Sequence, residues 1–384
     1  MQAWPLERKI QVTQLRIMEW CDHFNGNAYV SFSGGKDSTV LLDLARRVNP
    51  GIRAMYVDTG LEYPELKEFV RSKDNVDIIR PKMVFSEVIS KYGYPLIGKE
   101  VAECIYYARR HTHTHTGTDE VEENSGIAAG GREISASAQG VWRNWRRECL
   151  TGVNSDKRSQ LFNKTKWLPL AQSAPFAISH QCCGVMKKSP AQSYQRKTGL
   201  KPILGTMASE GRMRKQAWLR KGCNGFDSSK PTSQPLSFWT DQDVLEYIVR
   251  FDIDIASIYG QVYMADYKGR NIEISGCKGC KLATTGCDRS GCVYCAFGLH
   301  LEKDITRFQR LQYTHPKLYE YSIYGGQWVD NPNYDATLPK NIPLNEDLGW
   351  NPRKIWVPSK KGLGLGVVFD TCNEIYGKDF IRYI

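Results

Sequence analysis

The chain has 384 residues, of which 41% are hydrophobic and 11% aromatic, enough for a substantial core and a length that suits two domains. No apolar run approaches the roughly 18 residues of a membrane-spanning helix, and the N-terminus lacks the apolar segment of a secretory signal, so we predict a cytoplasmic protein without a membrane partner. The net charge of +11 favours anionic partners such as nucleotides or nucleic acid, and twelve cysteines in such a chain indicate metal binding or thiol chemistry rather than a disulfide framework.

The first predicted element is an amphipathic helix over residues 5–24. We expect it to pack against a sheet and assign it no chemistry. Its apolar members are Ile10, Leu15, Ile17, Met18 and Phe24.

A strand, a glycine turn and a helix follow. The apolar run 28–32 predicts a buried strand, Ser33-Gly34-Gly35 predicts a tight turn, and residues 36–48 predict a helix with one apolar face. This arrangement presents free backbone N–H groups to a phosphate. The glycines allow close approach, and the helix N-terminus adds a partial positive charge.

The turn is not a Walker A loop, because Asp37 follows Gly35-Lys36 where that motif needs Ser or Thr. The string Ser-Gly-Gly-Lys-Asp-Ser resembles the signature of the PP-loop ATP pyrophosphatases, in which the loop holds pyrophosphate while a substrate is adenylylated. The resemblance implies an α/β fold with a doubly wound, mainly parallel sheet. It also implies that Lys36 and Asp37 are catalytic and that the nucleotide is bound by Ser33, Gly34, Gly35, Ser38 and Thr39.

The second predicted strand, residues 52–57, ends in Asp58-Thr59-Gly60. A carboxylate at the C-terminal end of a parallel strand lies where ligands bind, although Asp58 as a plain helix N-cap is the alternative. The string Val-Asp-Thr-Gly-x-x-x-Pro-Glu resembles a nucleotide motif of the phosphoadenosine phosphosulfate (PAPS) reductase branch. That likeness implies a nucleotide contact at Gly60 and a catalytic Asp58 that orients ATP or Mg²⁺ together with Asp37. Residues 76–79 predict a third strand.

Residues 105–175 have the composition of an insertion, loop or lid. The alternating His111, His113 and His115 are expected in a solvated loop, with a metal site as the alternative. A basic-aromatic cluster around Trp142 and Trp145 fits equally a clamp for a nucleic-acid strand or a helix that packs its tryptophans inward.

The pair Cys182-Cys183, followed by two lysines, resembles the Cys-Cys motif of PAPS and adenosine phosphosulfate (APS) reductases. In the APS enzymes this pair binds a [4Fe–4S] cluster. The next predicted strand, residues 201–204, ends at Gly205. The following segment is similar to a family region whose arginine contacts the anionic group of the substrate, and we assign that role to Arg212, with Arg214 as the alternative.

Residues 235–248 predict a helix that begins with a capping pair, Thr240 and Asp243. The string resembles the family pattern Pro-Leu-x-x-Trp-x-x-x-Asp-Val-x-x-Tyr-Ile. We interpret it as structural.

Five cysteines fall within residues 277–295, and their spacing suits either a zinc ribbon or an iron–sulfur cluster. The family resemblance favours [4Fe–4S], with zinc as the alternative. The ligand set that it implies is Cys182, Cys183, Cys292 and Cys295, with Cys287 as the likeliest substitute.

One departure from the reductases decides the leading hypothesis. Where they carry a catalytic cysteine, Ala296–His300 has Phe297. We therefore predict an ATP-dependent sulfurtransferase that adenylylates an acceptor, releases pyrophosphate and installs sulfur. The implied partners are an adenine nucleotide, a nucleic-acid acceptor, and a cysteine desulfurase or thiol reductant.

Two alternatives remain open. One is a PAPS or APS reductase that uses Cys295 or Cys372, and the other is a non-catalytic nucleotide-binding module with a zinc site. In each case the predicted division is a PP-loop domain over residues 1–250, with the insertion, and a cysteine-rich region over residues 251–384.

Overall fold

The computed structural model describes residues 1–109, 145–152, 162–227, 229–266, 269, 280–338 and 348–384. They form two compact units, each built from two stretches of chain. The first unit comprises Met1–Pro81 and Pro190–Cys292, and the second Lys82–Ser189 and Val293–Ile384. The predicted boundary at residue 250 stays a prediction. His111, His113, His115 and Trp142 lie outside the described residues.

The strands and helices are named here by their bounds. The strands are β1 (Ala28–Ser31), β2 (Arg53–Val57), β3 (Val76–Ile79), β4 (Leu96–Ile97), β5 (Lys201–Leu204), β6 (Asn224–Gly225), β7 (Thr232–Ser233), β8 (Val262–Ala265), β9 (Lys281–Thr284), β10 (Ala296–Phe297), β11 (Gln327–Asp330) and β12 (Lys354–Val357). The α-helices are Leu6–His23, Lys36–Val48, Pro64–Arg71, Phe85–Tyr92, Lys99–Ala108, 145–151, Leu168–Ser173, Ser189–Thr198, Arg212–Lys221, Asp241–Arg250, Arg307–Thr314, Pro316–Ile323 and Leu365–Tyr376. Shorter helical turns are Thr165–Trp167, Gly184–Lys188, Ala208–Glu210, Ser257–Tyr259 and Leu299–Leu301.

The first unit is organised around a six-stranded sheet in the order β3-β2-β1-β5-β7-β6. Strand β1 pairs in parallel with both β2 and β5, and β6 runs antiparallel to β7. Successive side chains of a strand point to opposite faces of a sheet. Accordingly, Val30 of β1 belongs to the main core, whereas Tyr29 packs with Met55 and Tyr194 on the other face. Both faces are thus covered, which confirms the predicted doubly wound, mainly parallel α/β fold.

The predicted first helix is confirmed as Leu6–His23, but its predicted apolar face was partly wrong. Leu15 and Met18 are about half exposed, at 50% and 47%. The residues that face the core recur every three or four positions along the helix. Two of them, Lys9 and Thr13, are polar, so the apolar residues alone do not predict this face. Its buried members are Leu6, Lys9, Thr13, Ile17, Trp20 and Cys21.

The second unit contains two small sheets, one in which β4 and β10 pair in parallel and one in which β11 and β12 pair antiparallel. A buried cation, Arg109, organises its interior. The guanidinium donates to the carbonyl oxygens of Ala171 and Phe176, at 2.8 and 2.6 Å, and lies 4.2 Å from the ring centre of Trp350. Burial lowers the Arg109 pKa to about 9. In neither unit do the described residues include a helix long and apolar enough to cross a membrane.

Candidate functional site

The turn after β1 has a shape that requires glycine. Gly34 has a φ of +74°, and a Cβ atom there would lie 2.3 Å from Cδ2 of Leu66 and 2.7 Å from Cγ2 of Val70. Within the turn, the Ser33 N–H donates to Oγ of Ser38 at 3.2 Å, and that hydroxyl donates to the Gly35 carbonyl at 2.9 Å. The loop is therefore preformed by its own side chains. It ends where the helix Lys36–Val48 begins, as the sequence predicted.

Lys36 is buried at the start of this helix, at 5% exposure. Its Nζ atom lies 3.0 Å from Oδ1 of Asp37 and 3.1 Å from Oδ1 of Asp241. Burial is the largest single influence and lowers the Lys36 pKa, but the two carboxylates together outweigh it and leave the pKa raised. The carboxylates thus favour a positive charge at this helix N-terminus, which is a favourable place to receive an anion.

Asp58 follows β2, the strand beside β1. Its side chain is 11% exposed and lies 3.5 Å from Nζ of Lys67 and 3.4 Å from Nε of Arg80. It also accepts a hydrogen bond from the Gly60 N–H at 3.3 Å. The helix that follows begins at Pro64 with Tyr63 as its N-cap, so the N-cap alternative for Asp58 is wrong.

Gly205 follows β5, on the other side of β1. A Cβ atom at Gly205 would lie 3.4 Å from the Asp37 carbonyl oxygen and 3.4 Å from Cα of Ser38, so this strand end packs closely on the start of the helix. Of the two candidate arginines, Arg214 is the one that interacts with residues near the loop. It pairs with Glu210, and the nearby charges of Arg289 and Asp37 influence its pKa, which burial lowers. The role of Arg212, which is exposed, stays a prediction.

The structure adds residues that the sequence reasoning missed. The hydroxyl of Tyr259 accepts a hydrogen bond from the Lys36 N–H at 3.2 Å and lies 2.5 Å from Oγ of Ser290. The neighbouring Arg289 lies 3.9 Å from Asp241. Both Arg289 and Ser290 belong to the cysteine-rich stretch, and neither is part of the thiol spacing that predicted a metal site there.

The adjacent thiols Cys182 and Cys183 lie in the second unit. The pKa of Cys183 is lowered to about 5, first by a hydrogen bond from Cys182 and then by the charges of Lys99 and Lys187, against the effect of burial. A lowered pKa favours the thiolate, the form that binds metals and attacks electrophiles.

The other predicted metal ligands are divided between the units. Cys295 lies in the second unit, whereas Cys287 and Cys292 lie in the first. Cys280 is disulfide-bonded. Among the described residues, no group of three or more His, Cys, Asp or Glu side chains is placed to hold a metal ion. No step of the reaction proposed for this protein requires an iron–sulfur cluster. The cluster stays a prediction.

Comparison with known proteins agrees with this fold. The family profile described as the phosphoadenosine phosphosulfate reductase domain matches residues 27–96 and 153–297, more than half of the chain. The chain belongs to this family. The match includes the glycine turn, the Asp58 strand end, the Cys182-Cys183 pair and the cysteines up to Cys295.

Individual relatives of this PAPS reductase family member match shorter stretches. An uncharacterized protein of Methanocaldococcus jannaschii is 35% identical over 95 residues, which are 23% of each chain. The adenosine 5′-phosphosulfate reductase of Mycolicibacterium smegmatis is 30% identical over 94 residues, which are 23% of this chain and 39% of the relative. The chain therefore spans well under half of the length of these curated relatives. Among solved structures, the PAPS reductase of Candida auris in its phosphate complex aligns with 15% identity and a TM-score of 0.33, covering 64% of this chain and 82% of that one.

Proposed function

We propose that the protein is an ATP-dependent enzyme that adenylylates an acceptor oxygen and releases pyrophosphate as the first half of a sulfur transfer. The acceptor oxygen attacks the α-phosphorus of ATP, the bond between that phosphorus and the bridging oxygen of the β-phosphate breaks, and pyrophosphate leaves. The observation that carries the proposal is the position of Lys36. It is a buried cation at a helix N-terminus, next to a loop that only glycine can form.

Each residue of this loop has a task in that step. The backbone of Ser33, Gly34 and Gly35, with the Ser38 and Thr39 hydroxyls, surrounds the leaving pyrophosphate. Lys36 neutralises the negative charge that develops on it, and such a preorganised charge is most effective where water is excluded. Gly205 leaves room beside the start of the helix.

The carboxylates of Asp37 and Asp58 suit a nucleotide-bound Mg²⁺, because this ion takes one or two protein carboxylates and completes its shell with phosphate oxygens and water. Both carboxylates now pair with cations, Asp37 with Lys36 and Asp58 with Lys67 and Arg80. When bound, the ion would offset phosphate charge and align the α-phosphorus with the acceptor.

The second half of the reaction replaces the activated oxygen by sulfur. A sulfide-equivalent nucleophile attacks the acceptor atom that carries the adenylylated oxygen, and AMP leaves with that oxygen. If the donor is a protein persulfide, of the kind a cysteine desulfurase supplies, a further thiol must reduce the disulfide that first forms. With such a donor, the reaction needs both a persulfide-bearing partner and a thiol reductant.

A nucleic-acid acceptor is favoured by the helix Arg212–Lys221. None of its ten side chains is buried, and the helix carries five cations and no acidic residue. The Lys and Arg side chains of such a helix attract the phosphate backbone of a nucleic acid, whatever its base sequence. The last cations of the helix are Arg220 and Lys221, six and seven residues after Arg214, whose pKa is influenced by the charge of Asp37.

A PAPS or APS reductase is the second candidate, since the family and the reductase relatives favour it. In that reaction a thiolate attacks the sulfonucleotide sulfur, the nucleotide leaves, and a second thiol releases sulfite with formation of a disulfide. Two observations count against the usual form of this reaction. Phe297 lies in β10 at the position of the family cysteine, and Cys372 is fully buried with its pKa raised to about 12 by that burial.

Calorimetric titrations test the two candidates without knowledge of the acceptor. Inorganic pyrophosphate and ATP with Mg²⁺ should bind the wild-type protein, and Lys36→Ala should weaken both by about tenfold or more. Lys215→Ala, on the exposed basic helix, is the matched control and should leave both unchanged. Binding of adenosine 3′,5′-bisphosphate without binding of pyrophosphate, and sulfite release from PAPS with a thiol reductant, would favour the reductase. Nucleic-acid binding that survives Lys36→Ala, without turnover of either nucleotide, would favour the non-catalytic module.

A further inference from the structure

One backbone N–H group of the glycine loop already has a partner inside the protein. Lys36 is the first residue of its helix, where the N–H has no acceptor within the helix and is free to bind a phosphate oxygen. Here the Tyr259 hydroxyl accepts from it at 3.2 Å. A Cβ atom on Gly35 would lie 3.2 Å from the same hydroxyl, so the phenol is in close contact with the loop. The phenol thus occupies part of the space that an anion would take.

Backbone packing holds Tyr259 against the cysteine-rich stretch. The N–H groups of Gly286 and Cys287 donate to the carbonyls of Tyr259 and Ile258, at 2.9 and 3.0 Å. A Cβ atom on Gly286 would lie 2.2 Å from the Ile258 carbonyl oxygen, so only glycine permits this approach. Three residues after Cys287, Ser290 reaches back to the Tyr259 hydroxyl at 2.5 Å.

The same stretch makes a second approach to the site. Arg289 lies 3.9 Å from Asp241, and Asp241 in turn holds Nζ of Lys36 at 3.1 Å. Both the backbone and the side chain of Lys36 are therefore linked to consecutive residues of the stretch. One link passes through Tyr259 to Ser290, and the other through Asp241 to Arg289.

We propose that Tyr259 is a positioning residue that stands in for a phosphate oxygen at the Lys36 N–H, and that pyrophosphate displaces it and loosens the attached segment 288–292. This inference rests on the proposed function, because it requires the loop to bind pyrophosphate. Its consequence is that occupancy of the nucleotide site is communicated to Cys292, whose neighbours lose their anchor when the Tyr259 hydroxyl leaves.

The sign of one mutational effect tests the proposal. Tyr259→Phe keeps the ring but leaves the Lys36 N–H without its internal acceptor, so pyrophosphate no longer competes with the phenol and should bind about fivefold more tightly. Ser290→Ala removes only the outer hydrogen bond, so the same direction with a smaller change is expected. A purely structural tyrosine, or one that donates to the phosphate, predicts weaker binding instead. The probe is inorganic pyrophosphate, measured by calorimetry on the full chain.

Hydrogen exchange supplies the second readout. Pyrophosphate should accelerate amide exchange over residues 288–292 in the wild type, and Tyr259→Phe should show the faster exchange without ligand. Tyr263→Phe is the matched control, since its hydroxyl bonds to the exposed Gly269 carbonyl, and should change neither readout.

The outcomes separate the two hypotheses. Equal or weaker pyrophosphate binding by Tyr259→Phe, with normal binding by the wild type, overturns this inference alone. Absence of pyrophosphate binding to the wild type overturns the proposed function and this inference together.

Discussion

Two buried lysines of the first unit show how differently the same side chain is used. Lys9 is 1% exposed and lies 2.6 Å from Asp243, whereas Lys36 is 5% exposed and lies 3.1 Å from Asp241. Both carboxylates belong to the first turn of one helix, Asp241–Arg250. The difference lies in the partners. The Asp243 side chain is 12% exposed, while that of Asp241 is 47% exposed.

Exposure of the partner decides whether a buried charge can change partners. Asp243 also accepts hydrogen bonds from the Thr240 N–H and hydroxyl, both at 2.7 Å. Lys9 therefore pairs with a carboxylate that is largely buried and held by other protein groups. Asp241 faces solvent, and an arriving phosphate can take its place beside Lys36 at little cost in desolvation. The first lysine is therefore structural, and the second is available to a ligand.

Lys9→Met should have the largest effect on stability. Removing the lysine leaves the Asp243 charge buried without a cation, so we expect a loss of about 3–5 kcal/mol in the free energy of unfolding. The measurement is chemical denaturation followed by circular dichroism. Lys9→Met combined with Asp243→Asn should recover part of the loss, since the amide oxygen still accepts from the Thr240 N–H. A loss below about 1 kcal/mol would mean that the pair behaves like a surface ion pair.

Lys36→Ala should instead lower activity strongly and change stability little. Pyrophosphate release from ATP should fall by about 100- to 1,000-fold, because the charge that stabilises the leaving group is gone. The thermal midpoint should change little, since Asp37 and Asp241 are both partly exposed and can be hydrated. Lys36→Arg tests whether charge alone suffices, and the geometry of the two carboxylates predicts only partial recovery. A large loss of stability without a specific loss of turnover would make Lys36 a second structural lysine.

Local sequence patterns predicted the structure around Lys36 well. Glycines next to a strand predicted the turn at Gly34, and the predicted bounds of the helix 36–48 and the strands 76–79 and 201–204 agree with the structure. Such features depend on neighbours in the sequence. The partnership of Lys36 with Asp241 spans 205 residues, and that of Lys9 with Asp243 spans 234, so no local pattern contains them.

The cysteines show a second limit of sequence reasoning. Spacing grouped Cys287, Cys292 and Cys295 as neighbours along the chain, but the division into units falls between Cys292 and Cys295. The thiol spacing also carries no information about the residues between the cysteines. Ser290 and its phenolic partner Tyr259 follow no ligand pattern, and they meet because the backbone at Gly286 packs closely on that of Ile258 and Tyr259.

Thr240→Ala should have a smaller effect that both lysines share. The Thr240 hydroxyl caps the helix that carries Asp241 and Asp243, and the Asp243 N–H donates to it at 3.4 Å. Loss of the cap should cost about 1 kcal/mol in the free energy of unfolding. Thr240→Ser is the control and should retain most of the stability. If Thr240→Ala were neutral, Lys9 and the backbone N–H at position 240 would be enough to hold Asp243.

Asp241→Asn should produce the smallest change, and its sign distinguishes the two lysines most directly. The substitution removes a negative charge next to the anion site while Asp37 still holds Lys36, so pyrophosphate should bind about threefold more tightly at low salt. The gain should shrink as ionic strength rises, because Asp241 is exposed and its charge is screened. Stability should fall by less than about 1 kcal/mol. Asp243→Asn is the matched comparison, two residues along the same helix, and should leave pyrophosphate affinity unchanged while it lowers stability. Tighter binding in the Asp243 variant, or weaker binding in the Asp241 variant, would mean that the exposed carboxylate holds Lys36 in its active position rather than competing with the ligand for it.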